Sequence, residues 1–262
     1  MCVQGEAQAG SLAGPPMFLV NMSVMPNRRA EVAPRTDFVL ADVDKSVIPW
    51  FRRSILRWYD DHGRRLPWRE RERTEYEVLI AELLLQRTTA VQVAQSFEPF
   101  IKKYPSWLAL KRASQAQLAA SLEPLGLSRQ KARVLKALAP AVLERGGKLP
   151  KRRDSLQKLP GVGQYIASAV LTTLFGRREA FVDANMARVL ERFWDARTYA
   201  DIRDDPYIQT LARRVVNCQR ALDLNWGVLD LGGLICRPRS PKCSDCPLES
   251  RCHASDVARN PL

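Results

Sequence analysis

The chain has 262 residues, with 41 Lys and Arg against 28 Asp and Glu, six cysteines and two histidines, giving a formal charge of +13. A content of 46% hydrophobic and 26% charged residues excludes wholesale disorder, a collagen-like repeat and a disulfide-dense miniprotein, and the length allows one large domain or two small ones with a sizeable core. Two histidines, His62 and His253, argue against a histidine-rich metal site and a Ser-His-Asp enzyme, while a pI near 9.8 implies a polyanionic partner, nucleic acid first.

Residues 1–45 carry a net charge of −1, so residues 46–262 carry +14. The first 45 residues, rich in Gly, Ala, Pro and Met without helical period, read as a disordered tail. Their short apolar run, Met17 to Val20, has no basic residue before it, which argues against a signal peptide. No apolar stretch approaches the roughly 18 residues of a membrane span, so a cytoplasmic protein with reduced cysteines and no membrane partner is expected. From Ser46 onward the apolar spacing is helical. Val47, Trp50, Phe51, Ile55 and Trp58 line one face of a first helix that Gly63 ends. Thr74 with Glu77 reads as a capping box for a helix running to about Arg87, and another helix follows over about 90–103. Ser114 with Gln117 repeats the capping pattern before Gly126. Ser128 opens a helix that stops at Gly146-Gly147. A short helix at 154–158 precedes one over 164–175 with Gly176 just past its end, and further helices are expected at about 184–195, 206–222 and 226–235. No stretch alternates over strand length, so the expected fold is all-α.

Three features carry chemistry. Leu159 to Ala167 reads LPGVGQYIA, a Pro-Gly-Val-Gly turn between two helices. It is either a plain tight turn or a hairpin in which the N–H groups of Val162, Gly163 and Gln164 point outward to take a phosphate oxygen at a helix N-terminus; in so basic a chain the second reading is favoured, with Gly161, Val162 and Gly163 as backbone-binding residues. Asp183, in FVDAN, stands where a new helix begins. An N-cap carboxylate is the commoner fate of such a residue, and the capping hydrogen bonds are expected to keep it ionised near neutral pH. Cys236, Cys243, Cys246 and Cys252 form C-x6-C-x2-C-x5-C within 17 residues. Four thiols so close in a reducing compartment are metal ligands; a four-cysteine zinc site and a cubane iron–sulfur cluster both suit the spacing. Arg237, Arg239 and Lys242 lie between the first two ligands, placed to hold phosphates. Cys2 and Cys218 fall outside the set, Cys218 as a buried small hydrophobe.

Hairpin, aspartate about 20 residues on, and C-terminal four-cysteine loop, in that order over roughly residues 46–252, resemble the helix-hairpin-helix DNA glycosylases of the endonuclease III and MutY type. The resemblance implies an all-α, two-lobed protein that binds double-stranded DNA between its lobes: a helical barrel over 74–183 containing the hairpin, and a second lobe from 46–73 plus 184–262 holding a [4Fe-4S] cluster on the four cysteines. It assigns Asp183 to catalysis, stabilising the positive charge that develops on the sugar of a flipped nucleotide and directing water to the anomeric carbon. Members that also nick the strand place a lysine where this chain has Tyr165. A phenol forms no Schiff base, so a monofunctional enzyme is expected.

The base removed is the finer question. Glu82, in AELLLQRTTA, matches a glutamate that protonates the departing purine in adenine glycosylases of the MutY type and orients the pyrimidine in thymine–guanine mismatch glycosylases; a solvated carboxylate beside Leu83–Leu85 is the alternative. Arg87-Thr88-Thr89-Ala90, the GLSRQKA run at 126–132 and VDAN at 182–185 are similar to the thymine–guanine type. Ten residues follow Cys252, too few for the domain with which MutY reads 8-oxoguanine. Tyr165 also occurs in MutY enzymes, and Gln86 is closer to their glutamine pair. The resemblance gives Gln86, Arg87 and Leu127 to filling the gap left by the flipped base or contacting the orphan guanine; for Leu127 packing on its own helix is nearly as good a reading. The expected function is excision of thymine, and uracil, mispaired with guanine, by a monomer working in base excision repair on the nucleoid. An adenine glycosylase lacking the lesion-reading domain and a catalytically idle DNA-binding protein are the alternatives.

Overall fold

Residues 47–255 are described by the computed structural model, and among them every regular element is helical; the expected tail at 1–45 lies outside them. The α-helices are α1 Val47–His62, α2 Glu75–Leu85, α3 Ala90–Lys103, α4 Trp107–Arg112, α5 Gln115–Ser121, α6 Ser128–Leu143, α7 Arg153–Leu156, α8 Gln164–Phe175, α9 Ala184–Phe193, α10 Pro206–Val216 and α11 Ala221–Leu234. Short 3-10 turns lie at Pro67–Arg69, Glu123–Leu125, Cys243–Asp245 and Glu249–Arg251.

Local chemistry starts and stops most of these helices. The capping boxes expected at Thr74 and Ser114 both form, and a third joins Thr89 to Gln92; each returns a side-chain oxygen to a first-turn N–H that has no helical partner. Four boundaries depart from the sequence reading. α2 stops at Leu85, two residues early, because Arg87 takes a left-handed φ of 56° that a helix does not continue. The unpredicted α4 is six residues long, opened by Ser106, whose side chain accepts from the Ala109 N–H. The expected 206–222 helix ends at Val216, and α11 begins at Ala221 rather than 226. α11 buries residues around most of its circumference, so it shows no amphipathic stripe to mark its start.

Two hydrophobic cores organise these helices. The first gathers Trp68 and residues of α2 to α8, among them Leu79, Leu84, Phe97, Leu118, Leu135 and Val170. The second gathers Phe51 and Ile55 of α1, Phe181, and residues of α9 to α11. α8 serves both, giving Val170 to the first and Ala169 to the second, and Tyr165 packs against each. Tyr165 therefore sits at the seam. α11 crosses α1 and α9 on glycines: a Cβ on Gly227 would lie 2.8 Å from Ile55 Cγ2, and one on Gly232 would lie 2.8 Å from the Asn185 Cβ, distances that side-chain-bearing residues cannot meet without separating the helices.

Candidate active site

Asp183 is the N-cap of α9, as its position implied. Its Oδ1 accepts from the backbone N–H groups of Asn185 and Met186, each at 2.8 Å, and its Oδ2 accepts from Asn185 Nδ2 at 2.8 Å. These three bonds fix the carboxylate in one orientation. Asn185 is held in turn, because its Oδ1 accepts from Arg188 Nη2 at 2.9 Å. The capping bonds favour the ionised form, but they do not act alone. Burial outweighs the lowering effects of Met186, Asn185 and Arg188, and the pKa of Asp183 is raised above the usual carboxylate value.

Tyr165, one residue into α8, comes to the same place. Burial first, then the Glu82 and Asp183 carboxylates, push its phenol well above 10, so it stays protonated and available as a donor. Its ring meets Phe181 edge-on at 6.0 Å. Glu82, in the last turns of α2, is 8% exposed, and burial raises its pKa to about 7; Arg69 opposes the shift and Asp183 adds to it. Its Oε2 is buried without a hydrogen-bond partner among the described residues. A solvated carboxylate is excluded. Three ionisable groups from α2, α8 and the start of α9 thus lie within electrostatic reach of one another, Glu82 buried and Tyr165 and Asp183 half-buried. A cavity of about 310 Å³ opens on Tyr165 and Asp183, bounded also by Gln164, Ala184, Ile202 and Arg203; Glu82 does not line it, and its tie to the others is the electrostatic one. A carboxylate fixed beside such a cavity can stabilise developing positive charge, a buried carboxyl near neutrality can give or take a proton, and a phenol can donate.

Beneath these groups lies an ion-pair network that no local pattern announced. Asp230 of α11 is fully buried and accepts from Arg64 N and Nε and from Arg69 Nη1 and Nη2, all at 2.8–2.9 Å. Burial raises its pKa, but the Arg69 and Arg64 guanidiniums prevail and hold it below the ordinary value. Arg69 also lies over the Trp226 ring, 5.1 Å from its centroid. Its Nε is buried and has no hydrogen-bond partner among the described residues. More than 160 residues separate these partners in sequence, which is why spacing could not reveal them.

The hairpin takes the expected form with one correction. The Val162 N–H does not point outward: it donates to Leu159 O at 3.1 Å, and the Val162 side chain is buried. The N–H groups of Gly163 and Gln164 have no protein acceptor among the described residues, and they stand at the N-terminus of α8. The two glycines serve different needs. Gly161 has φ 81°, and a Cβ there would meet Val134 Cγ1 at 2.4 Å and Leu83 Cδ2 at 2.9 Å, whereas a Cβ on Gly163 would point into open space. Gln86 and Arg87 are exposed just past α2, and Gln86 Nε2 donates to Gly161 O at 2.9 Å. Leu127 is 46% exposed with φ 50°, at the head of α6.

Cys236, Cys243, Cys246 and Cys252 are all unbonded thiols. Burial raises the pKa of Cys246 to about 12, and the other three cysteines add to it, which places the four within mutual electrostatic range. Among the described residues, no three His, Cys, Asp or Glu side chains converge to hold a metal ion. Arg237, Arg239 and Lys242 are exposed on the same loop. α9 grips that loop from below: Arg188 Nε donates to Cys236 O at 2.8 Å, and Arg192 donates to the carbonyls of Arg237 and Pro238 at 2.8 and 3.0 Å. Cys218 packs against the second core but is half-buried, not buried as expected.

Comparison with known proteins agrees with this geometry. Residues 80–220, more than half of the chain, match the model of the HhH-GPD superfamily base excision DNA repair proteins. The chain is 38% identical over 215 residues to a thymine-DNA glycosylase of Aeropyrum pernix, covering 80% of this chain and 96% of that protein. It is 39% identical over 203 residues to a thymine/uracil-DNA glycosylase of Pyrobaculum aerophilum, covering 76% and 88%. The solved structure of a thermostable thymine-DNA glycosylase superposes with a TM-score of 0.76 at 34% identity, over 82% of this chain and 99% of that one. On these matches the chain belongs to the HhH-GPD superfamily of base excision DNA repair proteins.

Proposed function

We propose that the chain is a monofunctional DNA N-glycosylase that flips out and excises thymine, and uracil, opposite guanine. The observation that carries the reading is the trio of Asp183, Tyr165 and Glu82, Glu82 buried and the other two half-buried, within electrostatic reach of one another beside a cavity none of whose lining residues is a lysine. Asp183, held by three hydrogen bonds, stabilises the sugar cation as the glycosidic bond breaks and directs water to it. Protonated Tyr165 shapes the pocket and donates a hydrogen bond. Glu82, poised near neutrality, holds the base. The names of the similar proteins above support thymine and uracil as the bases.

Double-stranded DNA is the partner, bound by a monomer through the outward N–H groups of Gly163 and Gln164, through Arg237, Arg239 and Lys242, and through Gln86, Arg87 and Leu127, which fill the gap left by the flipped base. DNA would lie between the two lobes expected at 74–183 and at 46–73 plus 184–262. The four cysteines are read as ligands of a [4Fe-4S] cluster on their spacing along one loop and their unbonded thiols, one soft ligand per iron, although their side chains do not converge on a metal position among the described residues. Such a cluster would staple the basic loop, and the chemistry at the sugar would stay with Asp183. A cytoplasmic, nucleoid-associated location follows from this activity, and no described helix is long and apolar enough to cross a membrane.

The test is a panel of labelled duplexes carrying T:G, U:G, A:G and A:8-oxoguanine, treated with enzyme and then alkali. Cleavage of T:G and U:G only after alkali, with no borohydride-trapped adduct, is expected. Cleavage confined to the adenine duplexes favours the adenine reading, and an inert panel with retained binding favours a non-catalytic one. An absorption band in the visible distinguishes an iron–sulfur cluster from zinc.

A further inference from the structure

Lys131, in the first turns of α6, is 6% exposed, and among the described residues no carboxylate pairs with it. Its amine donates instead to two backbone carbonyls, Leu84 O at 2.8 Å and Gln86 O at 2.7 Å. Burial alone lowers its pKa, to about 8. Burying an ammonium without a counter-charge is costly, and an unbranched apolar side chain would fill the same space. The donors therefore perform a task that volume does not.

That task lies at the end of α2. Leu84 and Gln86 carry the carbonyls left over where the helix stops, and a cation there also meets the negative end of the helix dipole. The helix stops because Arg87 turns left-handed at φ 56°, and α6 begins at a second left-handed residue, Leu127 at φ 50°. Lys131 thus fastens one strained turn to the helix that opens on the other. Two neutral bonds lace the same frame: Thr88 Oγ1 to Leu125 O at 3.0 Å, and Gln86 Nε2 to Gly161 O at 2.9 Å. Gln86–Arg87, Leu127 and the hairpin are thereby held on one support, and Lys131 is its buried charge.

We propose that Lys131 is a positioning residue that sets the Gln86–Arg87 turn and the Leu127 turn at a fixed spacing, so that they enter the base stack together and discriminate a mispaired from a matched duplex. The proposal rests on the reading of those turns as gap-filling. It predicts a division of labour: general duplex affinity comes from the hairpin and the basic loop, and discrimination comes from the spacing that Lys131 sets.

The experiment compares wild type, Lys131→Met, Gln86→Ala and the double variant for binding to a duplex with an abasic-site analogue opposite guanine and to a matched duplex. 2-Aminopurine beside the lesion reports insertion. Lys131→Met is expected to lose about tenfold or more of the preference for the abasic duplex, as for a charge-assisted hydrogen bond removed, to keep matched-duplex affinity within about twofold, and to lose the 2-aminopurine signal. Its effect is expected to be non-additive with Gln86→Ala, and Lys131→Arg is expected to restore part of the preference. Should Lys131→Met not purify folded, Lys131→Gln, which keeps an uncharged donor, takes its place with the same reading. Unchanged preference, an equal loss on matched duplex, or full additivity overturns the proposal. Failure of the wild-type protein to prefer the abasic duplex overturns the gap-filling reading instead.

Discussion

At the scale of single residues, the site is built from groups whose ionisation is set by burial. Glu82 is the case with a measurable consequence. Its pKa rises from 4.5 to about 7 on folding, so between those values the folded state binds a proton that the unfolded state has released. Stability therefore falls as pH rises from about 4.5 to 7, and above 7 the full cost of the buried charge is present. Glu82→Gln removes that cost while keeping the shape. It is expected to stabilise the protein at pH 8 by an amount on the order of 2–3 kcal/mol and to have little effect at pH 4.5, as read by thermal melts at the two pH values; an equal gain at both would show that the carboxyl is not charged at cost. Asp183→Asn tests the neighbouring group. The variant can still accept from the Asn185 and Met186 amides through its side-chain oxygen, so the fold and DNA binding are expected to persist. Single-turnover excision from a T:G duplex is expected to fall by about 10²–10³, the loss typical of removing one fixed electrostatic stabiliser. Retained excision would remove Asp183 from the chemistry.

At the scale of elements, the hairpin shows that two glycines in one motif answer to different constraints. Gly161 is needed by the fold, since a methyl there strikes Val134 and Leu83 in a left-handed backbone, while Gly163, whose Cβ would face open space, is needed only by what approaches α8. Gly161→Ala is expected to cost about 2 kcal/mol or more and to lower the Tm by several degrees. Gly163→Ala is expected to leave the Tm unchanged and to weaken duplex binding, because its methyl stands before the free N–H groups. Equal effects of the two on stability would contradict this assignment. The same contrast explains what was legible in sequence. The caps at Thr74, Ser114 and Asp183 were readable because a cap is a contact between residues two or three apart, and the four cysteines because they lie on one loop. The Arg64–Arg69–Asp230 network and the Lys131 bonds were not, because each joins residues 45 or more apart by geometry that only the packed helices create. α4 leaves no readable pattern because six residues carry too few repeats of the helical period, and the start of α11 none because a helix buried on most sides has no stripe.

At the scale of the whole molecule, the charge and the chemistry are joined through α9. That helix begins at Asp183 and, through Arg188 and Arg192, holds the carbonyls of the loop that bears Arg237 and Arg239. Contacts to phosphate are therefore fixed relative to the carboxylate that acts on the sugar, while the net +14 of residues 46–262 draws DNA from any sequence. Binding and chemistry should then respond differently to salt. Each neutralised phosphate contributes about −0.9 to the slope of log K against log salt, so matched-duplex affinity is expected to fall with a slope of about −4 or steeper. Arg237, Arg239 and Lys242, replaced by alanine one at a time, are each expected to reduce that slope by about one. The single-turnover excision rate at saturating enzyme is expected to stay nearly constant over the same range, because Asp183 is half-buried and held by three short-range protein hydrogen bonds that mobile ions screen little. A slope that none of the three substitutions moves would place the phosphate contacts elsewhere on the molecule. An excision rate that falls in parallel with affinity would show that the basic loop helps to assemble the active site as well as to hold the strand.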